Sequence, residues 1–237
     1  LRKPVEALLY RGSKAGFQLA SASARLFKPT NGQGQQRLKP ASSAGLFDLS
    51  LSDEQQMMRD SLQRFASDSL RPRAHDADAA ATCPADLRAE AQALGLALYA
   101  VPEALGGVAS ESTVVTQVLA AEDLAHGDLS LAAALLAPMS VANAITRWGS
   151  ERQQALYLPA FADDSPPLAS IAVNEPTVLF NPLQLATTAR REGSGFVLNG
   201  EKSVVMGGAS AELLLIAAML DGQPQVFIVP AGSDGLR

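Results

Sequence analysis

The sequence predicts an α+β multidomain chain: an all-helical amino-terminal domain followed by a small antiparallel β-barrel or sandwich. Three observations predict it. Apolar residues recur at helical spacing from Ser52 to Pro159, punctuated by capping signals and prolines. From Leu168 onward the pattern changes to short apolar runs separated by Gly, Asn and Asp turns. The gaps between those runs are too short for intervening helices, which argues against a βαβ fold. Three segments result: a basic leader and linker over 1–48, a helical domain over 49–165 and an antiparallel β-domain over 166–237.

The chain has 237 residues, 47% hydrophobic and 18% charged, and so can bury a sizeable core. Its net charge of -5 is unevenly spread. Residues 1–40 hold eight basic residues and one acidic residue, which leaves 11 basic and 23 acidic residues for the body. Such an acidic body is a poor partner for nucleic acid. Cys83 is the single cysteine, and His75 and His126 are the two histidines. No intrachain disulfide can form, and neither a thiolate cluster nor a histidine zinc site is expected, so no metal is assigned. No apolar run is expected to reach the length that crosses a bilayer, Leu213 to Leu220 being too short.

In the leader, Val5, Leu8, Leu9, Leu19 and Ala20 fall roughly on one helical face, with Arg2, Lys3, Arg11 and Lys14 beside them. Three readings stand: an extension packed on a neighbouring domain or subunit, a peripheral membrane contact through residues 1–30, or a targeting remnant.

Ser52 with Gln55 is a capping box that opens the first helix of the body, and Pro72 predicts its end near Leu70. Pro84 opens a second helix that carries Leu87, Ala91 and Leu94 and stops at Gly95. Ser110 caps a third helix to about His126, with Val114, Val115, Val118 and Leu119 as its apolar face. Leu129–Trp148 forms a fourth helix, apolar on several sides, that Pro138 kinks or splits. Ser150 and Gln153 make another capping box, and Pro159 closes the short helix that follows. His126 reads as a helix-end residue rather than a base. Six strands are then expected over 168–173, 184–190, 195–198, 202–206, 213–219 and 225–229. Asn199-Gly200 and Asp221-Gly222 supply turns. The break after Val173, at Asn174-Glu175-Pro176, is where a ligand would meet the sheet. No glycine-rich phosphate loop follows any strand.

Several phrases occur in a telling order: Leu51-Ser52-Asp53-Glu54-Gln55, then Gly95-Leu96 with Val101-Pro102-Glu103 and Gly106-Gly107, then Gly149-Ser150-Glu151-Arg152-Gln153 with Tyr157-Leu158-Pro159. Asn174-Glu175-Pro176 and Leu198-Asn199-Gly200-Glu201-Lys202 complete the series. Over about residues 49–237 the chain resembles the acyl-CoA dehydrogenase family, in its amino-terminal and middle domains. The resemblance implies FAD as cofactor and α,β-dehydrogenation of an acyl-CoA thioester. It also implies an electron-transfer flavoprotein or similar acceptor as partner, and a homo- or hetero-oligomer. The family's carboxy-terminal helical domain, which supplies the catalytic carboxylate, has no counterpart in this sequence, so no catalytic residue is nominated and Glu175 is read as a buried structural carboxylate. The cytoplasm is the expected compartment, with the mitochondrial matrix or inner membrane surface as the alternative.

The resemblance places Val173, Asn174, Val204 and Met206 at the flavin. Each departs from, or is adjacent to a departure from, the family pattern. Asn174 stands for a threonine that donates to the ring, and its amide can also donate. Val204 stands for a tryptophan, and Met206 for a threonine that donates near N5. A Gly-Ala-Gly-Ser-Asp pattern is replaced by Thr177-Val178-Leu179-Phe180-Asn181. A non-catalytic or flavin-deficient structural subunit of a heteromeric enzyme is the alternative function.

Overall fold

The computed structural model describes residues 50–109 and 113–237. The leader readings and the Ser110 cap therefore lie outside the described residues. A helical body comes first: α1 (Asp53–Phe65), α2 (Arg71–Ala80), α3 (Ala85–Gln92), α4 (Thr113–Gly127), α5 (Leu129–Trp148) and α6 (Glu151–Phe161). One mixed five-stranded sheet follows: β1 (Ala169–Ala172), β2 (Thr188–Glu192), β3 (Gly195–Asn199), β4 (Leu213–Leu220) and β5 (Gln223–Pro230).

Both capping boxes form. The Ser52 hydroxyl accepts from the Gln55 amide at 3.2 Å while the Gln55 side chain accepts from the Ser52 amide at 3.0 Å. Ser150 and Gln153 repeat the arrangement at the start of α6. The chain does not stop at Leu70, as Pro72 suggested. Ala66–Leu70 widens into a π-turn in which the Arg71 amide reaches back to the Ala66 carbonyl, and α2 continues from there. The wider turn accommodates a ring that an α-helical ladder would exclude, and Pro72 sits in the first turn of α2, where its missing N–H costs little. Likewise α6 runs past Pro159 to Phe161.

The valines of α4 point the other way from the expectation. Val114 and Val118 are exposed, whereas Thr116, Ala120, Asp123 and Leu124 face inward. The inward face is polar at one point because Asp123 receives both arms of Arg59 from α1, at 2.9 and 3.0 Å, and the Gln63 amide at 2.9 Å. Burial pushes the Asp123 carboxyl up, but these donors outweigh it and hold it below its ordinary value. The α1–α4 contact is thus fixed by an ion pair as well as by Leu62, Leu70 and Leu124.

α5 passes through Pro138 as one helix, capped by the Asp128 side chain on the Leu131 amide at 2.8 Å. It is long and apolar enough, by length and composition, to cross a membrane, contrary to the expectation that no run would be. In this fold it is a core helix: Met139, Val141, Ala142 and Ile145 pack with Leu158 and Phe161 of α6 against Ala169 of β1 and Leu213 and Leu215 of β4.

The sheet is mixed, where only antiparallel pairing was expected. β4 is its spine. β5 runs antiparallel along all of one side of β4, joined to it by the Asp221-Gly222 turn. On the other side β1 pairs parallel with Leu213–Ile216, and β2 pairs parallel with Met219 and Leu220. β2 and β3 form an antiparallel hairpin. The parallel pairs arise because the chain leaves β1 through a long excursion and re-enters in the same direction. The run 202–206 is not a strand, for a reason that belongs to the site.

Phe161 joins the helical core to the sheet and is 1% exposed. Phe161→Ala should cost about 3–5 kcal/mol, read as a lowered midpoint in chemical or thermal unfolding.

Candidate functional site

The site is built where β1 ends. Beyond Ala172 the chain turns through Val173, Asn174 and Glu175, and the Glu175 carboxylate plunges inward while the Asn174 side chain stays exposed. Glu175 is 6% exposed and is saturated with donors. Its Oε2 accepts from the Ala186 amide at 2.7 Å. Its Oε1 accepts from the Thr187 amide at 2.8 Å, the Thr187 hydroxyl at 2.6 Å and Lys202 Nζ at 2.8 Å. Lys202 Nζ also donates to the Val173 carbonyl at 3.2 Å.

This arrangement ties three distant segments together, 173–175, 186–187 and 202. It demands close approach of the backbone, and Gly200 permits it: a Cβ there would sit 2.6 Å from Thr187 Cα. The Asn199-Gly200 pair therefore serves packing rather than a hairpin. Burial pushes the Glu175 carboxyl up, but the Lys202, Thr187 and Ala186 donors overcome it and hold the group at about 2. Glu175 is a structural carboxylate, as its place in the sequence suggested.

The next residues form a ledge instead of the expected strand. The Ser203 amide donates to the Asn174 carbonyl at 2.9 Å. Val204 then adopts the left-handed conformation, at φ 51°, which interrupts any strand. A β-branched residue there is a steric outlier that costs about 1–3 kcal/mol. Its side chain is 78% exposed, so packing does not recover that cost. Downstream, the Ser170 hydroxyl of β1 donates to the Met206 carbonyl at 2.5 Å, and a short turn begins where the Gly208 amide meets the Val205 carbonyl at 3.1 Å.

Of the four residues singled out from the sequence, Asn174, Val204 and Met206 are exposed and Val173 is half-buried. The Ser203–Asn174 bond brings the two segments that carry them side by side. After Pro176, Val178 and Leu179 are 93% and 94% exposed, and Phe180 is half-buried. The sequence reading singled out neither Thr187 nor Ser170, and it did not pair Lys202 with Glu175. The signal available for that pair was the two charges in otherwise apolar or turn-forming surroundings. Among the described residues, no cluster of three or more His, Cys, Asp or Glu side chains could hold a metal ion.

Residues 52–165 match the family profile of the acyl-CoA dehydrogenase N-terminal domain, and residues 170–237 match that of the acyl-CoA dehydrogenase middle domain. The chain belongs to the acyl-CoA dehydrogenase family. A cyclohex-1-ene-1-carbonyl-CoA dehydrogenase of Geobacter metallireducens is 30% identical over 191 residues, covering 78% of this chain and 50% of the relative. The butyryl-CoA dehydrogenase of Megasphaera elsdenii is 28% identical with a TM-score of 0.70, covering 80% of this chain and 51% of that one. A glutaryl-CoA dehydrogenase of Mycobacterium smegmatis, solved in complex with FADH2, is 27% identical with a TM-score of 0.68, covering 78% and 47%. The chain thus spans about half the length of these curated relatives.

Two outcomes follow from the Glu175 cluster. Lys202→Met leaves a buried carboxylate without its counter-charge and should cost about 3–5 kcal/mol in unfolding experiments. The pH dependence has a definite sign, because the folded value lies below the ordinary 4.5. The contribution of Glu175 is complete above that value and drains away as pH falls towards about 2. Acid titration of stability in the parent and in Glu175→Gln should show the parent alone losing this component.

Proposed function

We propose that this chain forms part of an FAD-dependent enzyme that oxidises an acyl-CoA thioester between its α and β carbons. The observation that carries the reading is the ledge itself: an exposed Asn174 amide beside two exposed apolar side chains, Val204 and Met206, on a rigidly pinned backbone. That donor set fits a flat ring with a polar edge and an apolar face, as a flavin has. The membership of the chain in the family supports it, as do relatives whose names specify acyl-CoA substrates.

In this reading Asn174 holds the ring edge through its amide, Val173 sets the height of that residue, and Val204 and Met206 lie against the ring. Bound FAD would supply the hydride acceptor. The protein's own task is to hold the ring in register and to keep water from one face of it. Met206 has no donor, so polar contact from that segment falls to its backbone. No carboxylate among the described residues is assigned as the proton-abstracting base. An electron-transfer flavoprotein or similar acceptor is the proposed partner, within a homo- or hetero-oligomer. For the leader, a peripheral membrane contact through residues 1–30 is retained as a proposal. So is a cytoplasmic location, with the mitochondrial matrix or inner membrane surface as the alternative.

The absence of a side-chain donor at Met206 favours one second reading, a flavin-deficient structural subunit. An absorption titration of the full-length protein with FAD separates the two. Bound-flavin bands are expected in the parent, and Asn174→Ala should weaken the affinity about tenfold through loss of one polar contact. A full-length protein that leaves FAD unperturbed, even in excess, would sink the enzyme reading in favour of the subunit.

A further inference from the structure

We propose that Ser170 is a positioning residue. Its buried hydroxyl, by holding the Met206 carbonyl, keeps the ledge 203–206 in the strained conformation that receives the flavin ring. The proposal rests on the flavin reading above and extends it to a residue that lies behind the ledge.

Ser170 is 2% exposed and sits in β1 among Ala169, Ile171 and Ala172. Ala169 and Ile171 turn to the helical core, and Ser170 faces the opposite way. A hydroxyl buried at such a place is costly unless it is bonded, and alanine serves the strand at two nearby positions. The bond Ser170 makes is directed out of the sheet, 36 residues along the chain, to the Met206 carbonyl.

What that bond restrains is specific. Val204 stands at φ 51° with its side chain 78% exposed, so neither packing nor intrinsic preference holds it there. The restraint comes from both flanks. On one side Lys202 is anchored on Glu175 and the Val173 carbonyl, and the Ser203 amide is anchored on Asn174. On the other side stands Ser170, with the turn at Gly208 following directly. Release of either flank lets Val204 swing to an ordinary extended conformation, and the outward surface of the ledge changes with it. Strain kept at an exposed position, and held by a purpose-directed hydroxyl, points to a shape that a ligand uses.

The test compares the parent, S170A and S170A/V204N. Asparagine tolerates the left-handed conformation far better than valine, so V204N removes the strain that Ser170 has to oppose. Two quantities are measured in the full chain: hydrogen exchange at the Ser203 and Gly208 amides, and the dissociation constant for FAD. In S170A exchange at both amides should accelerate about tenfold and FAD affinity should fall about tenfold, the loss of one buried hydrogen bond. Amides of β4 and β5 should exchange as in the parent. In S170A/V204N exchange at both amides should return towards the parent values, a recovery that a merely structural serine would not show; FAD affinity is compared only between the parent and S170A, because Val204 itself lies against the ring. Unchanged exchange at the two amides in S170A overturns the proposal, as does a double variant in which neither amide recovers. Altered exchange with unaltered FAD affinity overturns the ligand role of Ser170 while the flavin reading stands. If the parent itself binds no FAD, the flavin reading fails and this role fails with it, and the exchange data alone then show whether Ser170 holds the ledge.

Discussion

The buried pair of Lys202 and Glu175 is the interaction on which the site depends. Two charges removed from water are costly, and their mutual attraction alone does not make up the loss. Here the difference is met by geometry: the carboxylate takes three further bonds from Ala186 and Thr187, and the ammonium takes a second acceptor at Val173. None of these groups can move without leaving another unsatisfied. The end of β1, the approach to β2 and the segment after β3 are therefore locked to one another, although they are separate in sequence.

That lock makes the strained ledge possible. A β-branched residue in the left-handed region persists only where its surroundings over-determine it. Val204 is held between the Lys202 anchor on one side and the Ser170–Met206 bond on the other. β1 is itself fixed, since Ala169 lies in the core formed with Phe161, Ile145 and Leu215. Packing of α5 and α6 on the sheet thus reaches the ledge through rigid elements, which is the condition for a binding surface of constant shape.

Local features were legible in the sequence and long-range ones were not. Ser52-Gln55 and Ser150-Gln153 specify helix starts by chemistry within four residues, and both form. Asp221-Gly222 specifies a turn in the same way. Pro72 misled because a π-turn can absorb a proline, and nothing local says whether a helix will widen or stop. The α4 valines misled because periodicity reports an apolar face without saying what covers it, while the inward face was set by Asp123 pairing with Arg59 across 64 residues. At the site, Val204-Val205 has strong strand propensity. The left-handed turn there is imposed by bonds to Asn174 and Ser170, which a one-dimensional reading does not contain. Asn174, Val204 and Met206 were singled out through likeness to a family, not through any chemical signature of their own.

The same bonds decide what Glu175 can do. A general base needs a free lone pair facing its substrate and an affinity for protons near that of its surroundings. Glu175 has neither. Its two oxygens accept four hydrogen bonds, one of them from an ammonium, and its carboxyl is held at about 2. Protonation would break the pair with Lys202, and with it the anchor that holds Val173 and the ledge. Glu175 is thus committed to holding the site's shape, while Asn174, Val204 and Met206 are open on the solvent-facing side.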